Sequence, residues 1–278
     1  MKSIFDNVSK SCSKAVTRAY STSFSLGIGF LDRSIHAPIY GIYGFVRLAD
    51  EIVDSFEGYK QEELFIELKQ NVVQAIEDKI SLNPILNSFQ EVVHQYNIEW
   101  SLIESFLQSM EMDLNKSIYD RSQYDTYILG SAEVVGLMCL RVFVNGDTAT
   151  YESLKPSAMR LGAAFQKVNF LRDAKADFEE LGRTYFPGVS MQNFSNEDKG
   201  KIEAEVEEDF KEALKGIRQL PRSSRKGVYL AYIYYYRLFK KIKRVPASRV
   251  LTERIRIPNS QKISLMFYSL MRHQLNLL

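Results

Sequence analysis

With 278 residues, 45% of them hydrophobic, the chain has ample material for an extensive core, and its length alone leaves open one large domain or two small ones. Its 36 Lys and Arg stand against 34 Asp and Glu, and the net charge of +2 excludes an overall electrostatic commitment to nucleic acid, so any charge-based function is local. The two cysteines, Cys12 and Cys139, match no zinc spacing and give no disulfide framework, which leads us to expect a reducing, cytoplasmic compartment.

The stretch Met1 to Asp6 lacks an apolar signal core. Up to about Tyr20 the chain reads as an amphipathic helix, with Val8, Cys12, Ala15, Val16 and Ala19 recurring at helical spacing. The hydroxyl-rich run Ser21-Thr22-Ser23-Phe24-Ser25 follows, and its bottom-up reading is an N-cap and turn. From Ile35 to Asp54 the sequence predicts a long buried helix, in which Gly41 and Gly44 suit close packing against a neighbour. Tyr43, Arg47, Asp50 and Asp54 fall on one stripe of it. For such a helix in isolation, the default reading is an ion pair of Arg47 with Asp50 or Glu51.

Gly58 to Tyr96 reads as helices separated by a break at Ser81 to Pro84, and Ile98 to Tyr119 as another, with Trp100, Phe106, Met110 and Met112 as its core stripe. Tyr127 to Val144 comes nearest to a membrane span, but Glu133 and Arg141 interrupt it, so a buried helix is expected. Its small residues Gly130, Ser131, Ala132 and Gly136 suit a neighbouring helix more than a ligand. After a turn at Asn145-Gly146-Asp147, Pro156 is expected to open the next helix.

On that helix Gln166, Asn169, Asp173 and Asp177 lie three, four and four residues apart, a polar row among Phe165, Val168, Phe170 and Leu171. Beyond Pro187, Asn196 to Lys215 predicts a surface helix with a solvated acidic side. The tyrosine-rich run 229–236 predicts a buried helix with a basic end, a place for peripheral contact with anionic lipid. Strand alternation, repeats and linkers are not found, so the sequence predicts one all-α domain over residues 1–278.

Carboxylates one turn apart repel, and a cation between two such rows is the natural compensation. Magnesium takes oxygen ligands and bridges protein carboxylates to substrate phosphates, and Asp50, Asp54, Asn169, Asp173 and Asp177 are the right types. Zinc would call for His or Cys, and His36, His94 and His273 are dispersed. With Arg47, Arg172 and Arg183 nearby and apolar helices around, the rows suit a cavity holding a diphosphate at one end and a hydrocarbon at the other.

The Tyr-x-x-x-Arg-x-x-Asp-x-x-x-Asp row at 43–54, the Gln-x-x-Asn-x-x-Arg-Asp-x-x-x-Asp row at 166–177 and the Gly-Arg-x-Tyr-x-Pro ending at 182–187 together resemble the squalene and phytoene synthase family. The Ser-x-Ser-Phe run at 21–24 and Ala132 to Gly136 add to the resemblance, which spans most of the chain in the family's order. It implies the isoprenoid synthase helical fold around a central cavity, and magnesium-dependent head-to-head joining of two prenyl diphosphates through a cyclopropyl diphosphate. Proton loss ends a phytoene-type reaction, and hydride from NADPH a squalene-type one.

By position, the resemblance implies Asp50, Asp54, Asn169, Asp173 and Asp177 as metal ligands, and Arg47, Arg172, Arg183 and Tyr185 as diphosphate-binding residues. It places Ser21, Ser23, Tyr43 and Gln166 along the substrate, with Phe24 facing the reacting cation. Glu51 stands where many members carry Asp, Thr22 where some carry a basic residue, and Lys262 is a further basic match after Pro258.

Geranylgeranyl diphosphate as substrate and phytoene as product, in carotenoid biosynthesis, is the leading expectation. A squalene or dehydrosqualene synthase using farnesyl diphosphate is the alternative. A non-enzymatic helical assembly factor of the same fold is the alternative from another class, expected to lose acidic ligands, whereas this chain retains Asp50, Asp54, Asp173 and Asp177.

Overall fold

The computed structural model describes residues 1–114, 119–179, 185–189 and 194–257, with the side chains of 176–179 outside the description. Every element among the described residues is helical: α1 (Lys2–Tyr20), α2 (Thr22–Gly29), α3 (His36–Ser55), α4 (Gln61–Asp78), α5 (Pro84–Tyr96), α6 (Trp100–Leu114), α7 (Arg121–Ile128), α8 (Val134–Phe143), α9 (Thr148–Glu179), α10 (Asn196–Gln219), α11 (Arg222–Lys243) and the short α12 (Ala247–Val250). A π turn, Leu129–Glu133, joins α7 to α8.

The first helix forms as predicted but buries another face. Ser9, Ser13 and Thr17 are its buried residues, while Val8 is exposed, as are Ala15 and Ala19. Proximity explains this correction, since a Cβ at Gly44 would stand 3.0 Å from that of Ser13, a gap that admits only small side chains. The hydroxyls are satisfied locally: Ser9 Oγ donates to the Phe5 carbonyl at 2.9 Å and Thr17 Oγ1 to that of Ser13 at 2.8 Å. Gly41 is equally close to α5, near Val92 and Ser88, as the sequence predicts.

The break between α4 and α5 is capped by Asn83, whose side chain accepts from the Ile85 amide at 2.9 Å ahead of Pro84. Along α6, Phe106 and Met110 are buried, but Trp100 is 40% exposed at the helix start, so the core stripe begins at Leu102 and Ile103. Arg121–Phe143 is long and apolar enough to cross a membrane by length and composition, yet 50% of that window is buried. Arg141 there is held by Glu99 and lies over the Tyr151 ring.

Pro156 does not open α9. The helix begins at Thr148, where Asp147 accepts from the Thr150 amide at 3.0 Å, and Pro156 sits within it on the exposed side. The acidic side of α10 is likewise not all solvated, because Asp209 is 1% exposed. Two apolar clusters result. One centres on Phe45, Phe89, Phe106 and Met138, with Phe45 stacked on Phe89 at 4.0 Å; the other on Val168, Leu171, Phe210 and Phe239. A cavity of about 300 Å³ lies between them, drawing walls from both.

Candidate active site

The cavity has a polar end and a long apolar body. Tyr43 from α3, Gln166 and Asn169 from α9 and Tyr235 from α11 line one end, and Leu31, Ile39, Phe143, Leu154 and Leu220 line the rest. The leading residues of the two polar stripes, Tyr43 on one and Gln166 and Asn169 on the other, thus line the same end, while Arg47, Asp50 and Asp173 lie beyond the lining. A Cβ at Gly136 would stand 3.2 Å from the Ala158 carbonyl oxygen and one at Gly162 2.6 Å from that of Ala132, so these glycines let α8, the π turn and α9 approach closely. Ser131, Ala132 and Gly136 also line the cavity, so their smallness serves packing and room together.

On α3, Arg47 hydrogen-bonds both Asp50 and Glu51 and stacks over the Tyr20 ring at 4.2 Å. The ion pair expected for a lone helix therefore forms, but within a crevice. Burial first, then Asp54, pushes the Asp50 carboxyl up to about 7 against the opposing pull of Arg47. Asp50 is closely surrounded by protein, yet its side chain is 34% exposed. Tyr43 is pushed above the usual phenol range, chiefly by burial, and shares a hydrogen bond with Ser21.

Ser21 also caps α2, accepting from the Phe24 amide at 3.1 Å, so the expected N-cap is present. Ser23 is half-buried on the same helix. The Phe24 ring lines the cavity 5.5 Å from that of Tyr43.

On α9, Arg172 Nε donates to Asp173 Oδ1 at 3.0 Å, and Arg254 Nε reaches the same oxygen at 2.7 Å. Burial works against the Arg172 charge, but Asp173 holds its guanidinium above the ordinary range. Among the described residues, Asn169 Oδ1 is buried without a hydrogen-bond partner. The Asp177 side chain, Arg183 and Lys262 lie outside the described residues.

Tyr185 belongs to a group that motif reading does not foresee. Asp113 of α6, 5% exposed, accepts from the Tyr127 hydroxyl at 2.7 Å and from those of Tyr119 and Tyr185 at 3.4 and 3.5 Å. Tyr185 stacks on Phe170 of α9 at 4.0 Å. The Asp113 charge contributes to raising Asp50, so this carboxylate belongs to the same electrostatic site. Its sequence signal is an aspartate at the buried spacing of Phe106 and Met110.

Residues 17–261 match the family described as squalene/phytoene synthase. The chain belongs to that family. Phytoene synthase 1, chloroplastic, of Solanum lycopersicum is 24% identical over 269 residues, covering 89% of this chain and 64% of the relative. Presqualene diphosphate synthase of Zymomonas mobilis is 30% identical over 196 residues, covering 68% and 64%. The chain spans 64% of the length of phytoene synthase 1 of Solanum lycopersicum, 58% of that of Arabidopsis thaliana and 79% of phytoene synthase 2 of Solanum lycopersicum.

A crystal structure of a dehydrosqualene synthase in complex with ligand superposes with a TM-score of 0.84 at 18% identity, covering 97% of this chain and 98% of that one. Squalene synthase HpnC from Alicyclobacillus acidocaldarius superposes at 0.76, also at 18% identity, over 87% and 95%. These likenesses establish the all-helical isoprenoid synthase fold for this squalene/phytoene synthase family member. In it, Tyr235 is a further residue at the mouth: its buried hydroxyl is hydrogen-bonded by the Asn169 side chain and lies near Arg172 and Asp173. Nothing in the tyrosine-rich run distinguishes it from its neighbours until α11 is placed against α9.

Proposed function

We propose that this chain is a prenyltransferase joining two geranylgeranyl diphosphates head to head, through a cyclopropyl diphosphate, to phytoene. The observation that carries the reading is the cavity's course along α9. Its lining runs from Asn169 at the polar end to Leu154 at the apolar end, fifteen residues and roughly 22 Å of helix. An extended geranylgeranyl chain is roughly 19 Å long and a farnesyl chain roughly 14 Å, so the depth suits the longer substrate.

The residues at the mouth fit a hard divalent cation. Their donors are oxygens, Asn169 Oδ1 lacks a partner among the described residues, and burial and Asp54 together raise Asp50 despite its pairing with Arg47. Among the described residues no three His, Cys, Asp or Glu side chains group closely enough to hold an ion alone, so magnesium there would need further oxygen ligands from substrate phosphates. Asp50, Asp54, Asn169 and Asp173 would hold it, with Asp177 one turn further on. Bound there, magnesium supplies Lewis-acid stabilisation of the departing diphosphate.

The chain's own cations divide the remaining work. Arg47 and Arg172, each paired with a carboxylate, would orient diphosphate oxygens. The apolar walls of α2, α3, α8 and α10 exclude water from the hydrocarbon, and the Phe24 face borders it where cationic charge develops.

The test is incubation of purified protein and Mg²⁺ with geranylgeranyl or farnesyl diphosphate, with and without NADPH, and identification of the hydrocarbon. Phytoene from geranylgeranyl diphosphate without NADPH is expected. Exclusive use of farnesyl diphosphate would overturn the chain length, and no diphosphate release from either would sink the enzyme reading.

A further inference from the structure

Four aromatic rings line the cavity between its polar mouth and its apolar body. Tyr43 lies 5.5 Å from Phe24, Phe24 stands edge-on to Tyr235 at 6.3 Å, and Tyr235 stacks on Phe165 at 4.0 Å and 19°. Phe165 is four residues before Asn169 on α9, so it occupies the same face one turn deeper, roughly 6 Å below the mouth. The Tyr235 hydroxyl is engaged by Asn169, which ties the stacked pair to the polar end. Tyr235 is fully packed, whereas Phe165 keeps part of its surface open on the cavity it lines.

The geometry points to Phe165 as a product-determining residue of the reaction proposed above, an inference that rests on that reading. When the carbon–oxygen bond of the cyclopropyl diphosphate breaks, the oxygen keeps the electron pair and the positive charge stays on the hydrocarbon. It persists until a C–H bond yields its proton to end the rearrangement. Aromatic faces around the neck attract that charge without bonding to it, and the attraction is strongest where water is excluded. A leucine at 165 keeps the position apolar and similarly filled but removes one face. The cyclopropyl diphosphate then escapes before ionising, or water captures the cation by forming a carbon–oxygen bond and losing a proton, which gives an alcohol.

Phe165 also packs toward Phe210, at 6.4 Å between centroids, so a purely structural role has to be separated from this one. The experiment compares wild type with Phe165→Leu and Phe165→Tyr, using whichever prenyl diphosphate the wild type consumes. It reads diphosphate release in the first half-reaction, and the ratio of rearranged hydrocarbon to cyclopropyl diphosphate plus alcohol. Phe165→Leu is expected to lower that ratio roughly tenfold, the scale of one desolvated cation–π contact, with a much smaller change in the first half-reaction. Phe165→Tyr, which keeps the face, is expected to retain the wild-type ratio.

Fluorinated phenylalanines at position 165 preserve size while weakening the face, and the ratio is expected to fall stepwise as fluorines are added. A uniform loss of both half-reactions in Phe165→Leu, or a ratio flat along the fluorine series, assigns Phe165 to packing and overturns the inference alone. A wild type that releases no diphosphate overturns this inference together with the function it rests on.

Discussion

Two charged regions on α9 are compensated to different degrees. Along the face toward α10, Asp209 is met by Lys167 at 2.8 Å and Arg160 at 2.9 Å, and Lys167 also reaches Glu205 at 3.4 Å. Lys167 and Asp209 are both buried, and each has a partner of opposite charge. Along the face toward the cavity, Asn169 Oδ1 has no partner among the described residues, and on α3 Asp50 is raised by burial and by Asp54 and Asp113. The first region is neutralised from within, and folding accounts for it. The second is ion-paired as well, Asp50 with Arg47 and Asp173 with Arg172 and Arg254, yet Asp50 stays raised, so folding compensates this face only in part.

The largest expected effect strikes the partly compensated face. Asp50→Ala and Asp173→Ala should each lower turnover by roughly a thousandfold, the scale seen when a group stabilising transition-state charge is removed. Circular dichroism should show the helical fold intact. Near-normal turnover in both variants would refute the metal assignment and erase the functional half of the contrast.

The compensated face should answer in stability. Lys167→Met or Asp209→Leu alone leaves a buried charge short of its partner and should cost about 3 kcal/mol in urea unfolding. The double variant should cost clearly less than the two singles together, because it removes both charges at once. Additive losses would show that Lys167 and Asp209 do not act as a pair.

Much of this contrast is legible in the amino-acid sequence itself. The stripes at 43–54 and 166–177 follow from helical spacing, and a polar row among apolar neighbours marks α9 as unusual. What is not legible is set by packing partners far along the chain. The buried face of α1 is polar because Gly44 brings Ser13 against α3, and hydrophobic periodicity cannot register that. Asp113 reads as one acid on an apolar helix until Tyr119, Tyr127 and Tyr185 converge on it. Tyr235 becomes distinct only through Asn169 and Phe165, two elements away. Pro156 signals a helix start locally, but the Asp147 cap places it two turns earlier.

The smallest expected effect is a pH dependence that belongs to the partly compensated face. Asp50 is raised from 3.8 to about 7, so in this range the folded protein holds a proton that the unfolded chain releases. Stability falls with pH wherever the folded state binds more protons, so the contribution is fully present below about pH 4 and lost as pH rises through about 7. With 34% of the Asp50 side chain exposed, solvent screening keeps the change modest. Glu133 is also pushed up to about 7, chiefly by burial, so the slope has to be read against a variant. In chelator-treated protein, the melting midpoint should fall more between about pH 5 and about pH 8 for wild type than for Asp50→Asn. Added Mg²⁺ at the upper end should raise the wild-type midpoint more than that of the variant, because binding to the folded state alone stabilises it. Equal slopes and equal responses to Mg²⁺ would mean that the crowded carboxylates carry no strain for a cation to relieve, and the two faces of α9 would no longer differ in kind.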